Sequence, residues 1–367
     1  MERWRFLEVD WLTYAETGTY RPVLMKAISE GIVPNTVSFC TFTKPSVVTT
    51  FFADPEKEIN LDLCKKKGIP ARRLVIGGGP IFGDTGYIIT FFHLARNNLV
   101  PQDIGKMCEK ILIGVAAGLS KYFNVECRFR PINDVEIKCE DGAWRKIGPS
   151  GYSYGEKVIQ ITTGMQVKEN DVDLVSSLIT PAKEKFQDKQ AKSIQQRITY
   201  LEKVVCRSID FGELKTLYTD VIEKLFDVEL VPGELTQKEK SYYQEMEKEY
   251  AADEFFMDRS ERKFGIIPSG VVRKTIQFKV PEGPFMRIIT LIMGDKLLDI
   301  LISGTIFASP LIPTSPIHEI EKALKNQPVD EKLFEQKVEE IMNRPDFSIQ
   351  KVSNKFLANK IFECATQ

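Results

Sequence analysis

Histidine is nearly missing from this chain: two occur in 367 residues, His93 and His318. Neither stands near a candidate nucleophile, so chemistry that needs a histidine pair is excluded. His93, inside the apolar run Ile88–Leu94, reads as a core residue. Metal-type spacing is missing too. The seven cysteines, Cys40, Cys64, Cys108, Cys127, Cys139, Cys206 and Cys364, form no Cys-x-x-Cys pair and have no histidine-rich surroundings, which argues against a zinc site or a disulfide framework. A formal net charge of -1 leaves no basic field for non-specific nucleic-acid binding or a polybasic membrane anchor. No apolar run is long enough to span a membrane and the opening Met1–Glu8 carries acidic residues, so neither a signal peptide nor a membrane span is expected, and the expected setting is the cytoplasm.

Two common nucleotide signatures are absent as well. No Gly-Lys-Ser/Thr follows a glycine loop and no G-x-G-x-x-G opens a helix, so a nucleotide bound here would sit on neither a P-loop nor a Rossmann fold. What the chain does contain is Arg72-Arg73-Leu74-Val75-Ile76-Gly77-Gly78-Gly79-Pro80-Ile81-Phe82-Gly83-Asp84-Thr85-Gly86. Three consecutive glycines fill no core, and they suit a backbone that turns sharply or approaches a ligand closely. The arginines are guanidinium donors matched to carboxylate or phosphate, and the loop amides suit the same anions. A glycine-rich hairpin is the competing explanation of the triplet alone.

At 367 residues the chain exceeds one small core, and 43% hydrophobic with 28% charged residues is ordinary for a globular protein, so two domains are expected. Trp4–Asp10 reads as a strand, and a helix follows from about Arg21 to Glu30 with Gly31 as its stop. Thr36–Phe42 and Pro45–Phe52 read as a hairpin about Thr43-Lys44. A charged helix covers 56–67 and ends at Gly68. Ala71–Ile76 is expected to enter the glycine loop, with Tyr87–Leu94 as its antiparallel return. The spacing of Ile104, Cys108, Ile111, Leu112, Val115, Leu119 and Tyr122 predicts a helix over 102–122.

Val135–Cys139, the turn Glu140-Asp141-Gly142 and Ala143–Ile147 predict a second hairpin, which brings Lys146 beside Asn133 and Asp134. Gly148-Pro149-Ser150-Gly151 reads as a loop that ends that strand, and Lys157–Val167 restores β character. Helical segments follow from Val172 to Lys185, from Ser193 as an N-cap after the turn 187–192, and from Phe211 to Phe226. The charged stretch from Glu239 to Asp258 reads as a solvated helical connector. Three strands, 276–280, 285–293 and 297–303, and helices at 316–325 and 330–342 predict a smaller α+β unit.

These residues resemble the lipoate-protein ligases of the lipoate/biotin ligase superfamily. Arg73–Gly86 looks like that family's arginine pair, glycine triplet and Phe/Tyr-His-Asp-x-Gly run, and Asn133, Asp134 and Lys146 look like its Asn-Asp strand and following lysine. Lys189–Leu201 resembles the ligase branch rather than the octanoyl transferases, Lys248–Phe255 the end of the catalytic domain, and 276–342 the accessory domain. The resemblance implies an α+β fold, biotin/lipoate ligase-like and class II synthetase-like. Its sheet is mixed and largely antiparallel, flanked by helices. The implied divisions are a catalytic domain over 1–245, a connector over 246–260 and an accessory domain over 261–367.

It also implies a reaction in two steps. Lipoate or a related carboxylic acid attacks ATP to give an acyl-adenylate and pyrophosphate, and a lysine on a carrier domain then takes the acyl group as an amide. The implied carrier is the lipoyl domain of a 2-oxoacid dehydrogenase or the carrier protein of glycine cleavage. Lys146 would hold the acyl carbonyl and α-phosphate oxygens, while Asp134 would hold Mg2+ or orient Lys146. Arg72, Arg73, Gly77, Gly78, Gly79, Pro80, Ile81, Phe82, Asp84, Asn133, Ser150 and Thr163 would line the nucleotide and acyl pocket.

The sequence departs from the family at several of these positions: Leu74 for the second arginine if the glycines align without a gap, or one inserted residue if Arg72-Arg73 is the pair, Ile76 for Ser/Thr, Gly83 for His, Gly148–Gly151 for Ser-Gly-Ser-Ala, and Thr162-Thr163-Gly164 for His-His-Gly. An early Gly-x-x-Gln has become Thr50-Phe51-Phe52-Ala53. Two alternatives follow. One is a ligase-like binding or regulatory protein that has lost the chemistry. The other is an ATP-independent acyltransferase working through a thiol, with Cys127 and Cys139 nearest in sequence, though neither has a basic partner placed to form a thiolate.

Overall fold

Strands and helices interleave along the chain's N-terminal two thirds. The computed structural model describes residues 1–11, 13–96, 104–131, 133–155, 157–180 and 197–367. The strands are β1 (Glu2–Trp11), β2 (Thr36–Phe42), β3 (Ser46–Thr49), β4 (Ala71–Arg73), β5 (Ile81–Gly83), β6 (Tyr87–Ala95), β7 (Cys127–Arg130), β8 (Asp134–Lys138), β9 (Trp144–Tyr154), β10 (Val158–Gln166) and β11 (Val228–Pro232). Eight of them form one sheet in the order β11-β1-β2-β6-β10-β9-β8-β7. The β11–β1 and β1–β2 pairs are parallel and the rest antiparallel, as expected of a mixed, mostly antiparallel α+β sheet. The helices Ile104–Phe123 and Phe211–Phe226 pack against this sheet and share its largest apolar core.

Two expected hairpins do not form. β2 and β3 enter different sheets: β2 joins the large one, while β3 is the centre of a three-stranded sheet ordered β4-β3-β5. β4 runs parallel to β3, and β5 lies antiparallel on its other side. The glycine loop is therefore the crossing between β4 and β5, and β6 pairs with β2 and β10. β3 and β6 satisfy their ladders with distant segments, which no local pattern reports.

Gly148–Gly151 is also not a loop. It continues β9, with a bulge where Val135 faces Gly148 and Glu136 faces Lys146, leaving Ile147 as the extra residue. A bulge accommodates a nearby proline that cannot donate to the ladder. Helix limits are closer to expectation. Phe211–Phe226 is capped by Asp210 and Glu213, Gly68 closes Leu61–Lys67 at φ 65°, and the first long helix starts earlier than expected, at Thr17. The expected start at Gln102, the turn 187–192, the Ser193 cap and residues 189–196 lie outside the described residues.

The charged stretch after Thr236 is helical over Gln237–Tyr250, yet it is not simply solvated. Glu239 is fully buried and pairs with Arg5 at 2.6 Å, which ties this helix to β1. Beyond it, β12 (Val272–Lys279), β13 (Phe285–Met293), β14 (Lys296–Gly304) and β16 (Gln327–Pro328) make a second sheet, and β15 (Ala308–Ser309) pairs with β17 (Ser348–Ile349). Helices Pro316–Leu324, Glu331–Met342 and Asn354–Thr366 pack with it; the last was not foreseen from spacing. Its apolar core includes Phe51, Phe52 and Val75 from the segments flanking the glycine loop. No helix among the described residues is long and apolar enough to cross a membrane.

Candidate active site

A cavity of about 190 Å³ opens where the β4–β5 crossing meets β9 and β10. The glycine loop contributes Ile76, Gly77, Gly78, Gly79, Pro80 and Ile81 to its wall. Gly78 takes φ +115°, a conformation that only glycine adopts without strain, and its carbonyl accepts a hydrogen bond from Thr50 Oγ1 at 2.5 Å. The opposite wall holds Asn133, Lys146, Pro149, Ser150, Gly151 and Thr162, with Tyr14 and Tyr87 between. The triplet, Asn133, Ser150 and Lys146 therefore line one cavity.

Lys146 owes its position to the bulge. Its backbone leaves the regular ladder and is clamped from the other side: the Lys146 N–H donates to Arg197 O and Lys146 O accepts from the Thr199 N–H, both at 2.9 Å. Its ammonium pairs with the Asp134 carboxylate at the start of β8. Asn133 and Ser150 are locked across the same strands, since the Ser150 N–H donates to Asn133 O at 2.9 Å and Asn133 Nδ2 donates to Ser150 O. That leaves the buried Ser150 Oγ without a hydrogen bond among the described residues, so the cavity wall presents a hydroxyl to whatever enters. Burial raises both Tyr14 and Tyr87, Tyr87 well above the ordinary phenol range, so both present neutral rings.

Other expected residues do not reach the cavity. Arg73 is fully buried and turns its guanidinium onto the carbonyls of Thr50, Phe51, Ala53, Phe255 and Phe256 at 2.7–3.2 Å, so it is not part of the cavity wall. Arg72 pairs with Glu247 at 3.0 Å. Phe82 points into the small core around Val47, Ile59 and Cys64. Asp84 folds onto the Gly86 N–H at 2.9 Å, and burial raises its carboxyl. Thr163 is buried against Tyr218, and its neighbour Thr162 lines the cavity instead, because successive strand residues face opposite ways. Tyr14 was missed: it lies in the short Tyr14–Glu16 turn after β1, where no periodicity marks it.

Among the described residues, no group of three or more His, Cys, Asp or Glu side chains is placed to hold a metal ion. The Asp134 carboxylate, expected to hold Mg2+ or to orient Lys146, is paired with the Lys146 ammonium. None of the seven cysteines forms a disulfide, none lines the cavity, and burial pushes the Cys127 thiol up to about 12.

Residues 13–223 match the family described as the lipoyl protein ligase A/B catalytic domain. Octanoyltransferase LipM of Geobacillus kaustophilus is 25% identical over 276 residues, covering 70% of this chain and 99% of that protein. The solved bipartite lipoate protein ligase of Thermoplasma acidophilum, described with its E2 lipoyl domain, is 22% identical with a TM-score of 0.59, over 70% of this chain and 97% of that one. P. falciparum LipL1 in complex with lipoate is 13% identical but superposes along 98% of both chains with a TM-score of 0.68, so its fold extends through the C-terminal sheet.

Proposed function

Because the chain belongs to the lipoyl protein ligase A/B catalytic domain family, we propose that it activates lipoate or a related medium-chain acid with ATP and passes the acyl group to a lysine of a carrier domain. The observation that carries this reading is the convergence of Lys146, oriented by Asp134, with the side-chain-free Gly77–Gly79 backbone on one cavity. In the first step a carboxylate oxygen bonds to the α-phosphorus as pyrophosphate leaves. The Lys146 ammonium neutralises charge on the carbonyl and α-phosphate oxygens, and the side-chain-free Gly77–Gly79 backbone leaves room for the anion beside it. In the second, a neutral carrier amine attacks the acyl carbon, the carbon–oxygen bond to AMP breaks, and the surplus proton leaves the nitrogen. Lys146, held by its ion pair with Asp134, lies against the developing oxyanion and stabilises it. Ser150 Oγ and Thr162 supply further hydrogen-bonding groups at the wall.

The carrier assignment is supported by the Thermoplasma ligase, which is described with its lipoyl domain. The similarity to an octanoyltransferase favours a second reading, acyl transfer without ATP. The described cysteines weigh against a thiol route, since none is at the cavity. ATP–pyrophosphate exchange with lipoate, octanoate and biotin separates the readings. Exchange dependent on lipoate or octanoate is expected; nucleotide binding with no exchange on any of the three acids overturns the ligase reading.

A further inference from the structure

The glycine triplet touches more than the cavity. A β-carbon built on Gly77 would stand 2.7 Å from Phe307 Cδ1, 3.1 Å from Phe307 Cα and 3.0 Å from Ile306 O, and one on Gly78 would stand 3.3 Å from Phe307 Cζ. Phe307 belongs to the C-terminal part of the chain, on the segment between β14 and β15. Its ring lies along the backbone of both glycines and meets Tyr152 of β9 with ring centroids 5.4 Å apart. The backbone that carries the ring is tied on both sides: Phe307 O accepts the Gln350 N–H at 2.9 Å, and the preceding Ile306 carbonyl accepts the Gly78 N–H at 3.4 Å.

We propose that Phe307 is a positioning residue for the glycine loop, setting from the C-terminal unit the path by which Gly77 and Gly78 line the cavity. Gly77 lacks a side chain because Phe307 occupies the space one would need. Gly78 is fixed as glycine by its own backbone angle, so the steric argument rests on position 77. A loop backed by a rigid ring holds its amides in one arrangement, and removing the ring lets the loop sample others, which weakens binding before it affects the chemical step. The kinetic part of this inference rests on the proposed ligase reading; the steric part does not.

The test is a four-protein cycle of wild type, Gly77→Ala, Phe307→Ala and the double variant, with Phe307→Leu as the conservative control. In pyrophosphate exchange, Phe307→Ala should raise KM for acid and ATP by roughly 5–20-fold while kcat changes by less than about threefold, and Phe307→Leu should retain most of the wild-type KM. Gly77→Ala should lose about 100-fold or more in kcat/KM, and adding Phe307→Ala should recover about tenfold of that loss, a non-additivity that independent sites do not show. Urea unfolding of the same proteins should show the same partial rescue.

Additive losses, or an unchanged KM in Phe307→Ala, overturn the inference. If wild type exchanges with no acid, the ligase reading fails and the urea cycle alone decides the role of Phe307. If both Gly77→Ala proteins fail to fold, the KM of Phe307→Ala decides it.

Discussion

The hydroxyl of Tyr87 lies 1.8 Å from the point where a β-carbon on Gly164 would stand. Tyr87 opens β6 and Gly164 sits on the adjacent β10, so the missing side chain at 164 is what lets the phenol reach the cavity wall. Tyr87 cannot swing aside, because Phe42 stacks on it at 6.5 Å and Tyr14 lies 6.0 Å away. Gly164→Ala should therefore destabilise the protein by about 1–3 kcal/mol, the usual cost of overpacking. In a Tyr87→Phe background the same substitution should cost less, since the clashing oxygen is gone. Urea unfolding of the four proteins measures this, and equal costs in both backgrounds would contradict it.

Lys146 and Asp134 make a different kind of prediction, because both are partly exposed, with side-chain accessibilities of 28% and 24%. Lys146→Ala should reduce pyrophosphate exchange by about 100-fold or more while the melting temperature stays near the wild-type value. Lys146→Arg should not restore it, since a planar guanidinium does not present the compact charge of an ammonium. Asp134→Asn should cost less than Lys146→Ala, because it loosens the lysine without removing it. Full exchange by Lys146→Ala would contradict this role, whereas the non-catalytic reading predicts that the substitution leaves function in cells untouched.

Much of this arrangement is legible in the sequence, and what is not has a physical origin. The helix Phe211–Phe226 is readable to the residue because its start carries a capping box, Asp210 with Glu213, and its apolar face repeats at helical spacing. Lys146 beside Asp134 is readable because a turn signal, Asp141-Gly142, fixes two adjacent strands, and Gly142 does take φ +77°. The bulge at Ile147 is not readable: it depends on how β8 and β9 pair and on the segment 197–199 that clamps Lys146. Thr162 and Thr163 show the same limit at its smallest scale. Two identical neighbours on a strand differ only in which face they occupy, and register alone decides that. The partners of β3 are set by segments far along the chain, so a hairpin with β2 is the natural local reading and the wrong one.

Arg72 and Arg73 look alike in sequence and should behave in opposite ways. Arg73 donates to five backbone carbonyls that belong to the β3 exit and to the segment after Tyr250, so it stitches the glycine loop's entry strand to the connector. Arg73→Ala leaves several of those carbonyls buried without a donor and should cost more than about 3 kcal/mol. Arg73→Lys should recover little, as one ammonium cannot span the set. Arg72 makes one partly exposed pair with Glu247, and Arg72→Ala should stay within about 1 kcal/mol of wild type. Chemical denaturation distinguishes the two, and a large cost at Arg72 with none at Arg73 would reverse the assignment.

His93 supplies a pH dependence whose sign can be worked out. It is fully buried on β6 between Phe91 and Tyr20, neither ring nitrogen has a hydrogen-bond partner among the described residues, and desolvation, reinforced by the nearby Arg21 charge, holds it down at about 3. In the unfolded chain an imidazole titrates near 6.5. Between those two values the unfolded state binds a proton that the folded state refuses, so stability falls as pH drops below about 6.5 and continues to fall toward about 3. The slope from this one group is at most about 1.4 kcal/mol per pH unit. His93→Phe removes the titration and should flatten the acid limb by up to that amount, leaving a protein less sensitive to pH between 6 and 4, the window in which about 3 and about 6.5 bracket the change. Asp54 acts in the opposite direction over part of this range, since burial raises it to about 6 despite the attraction of Arg287, and its neutral form is favoured in the fold. The comparison is therefore between variant and wild type at each pH rather than along one curve. Equal acid sensitivity of the two proteins would mean that His93 is protonated in the folded state.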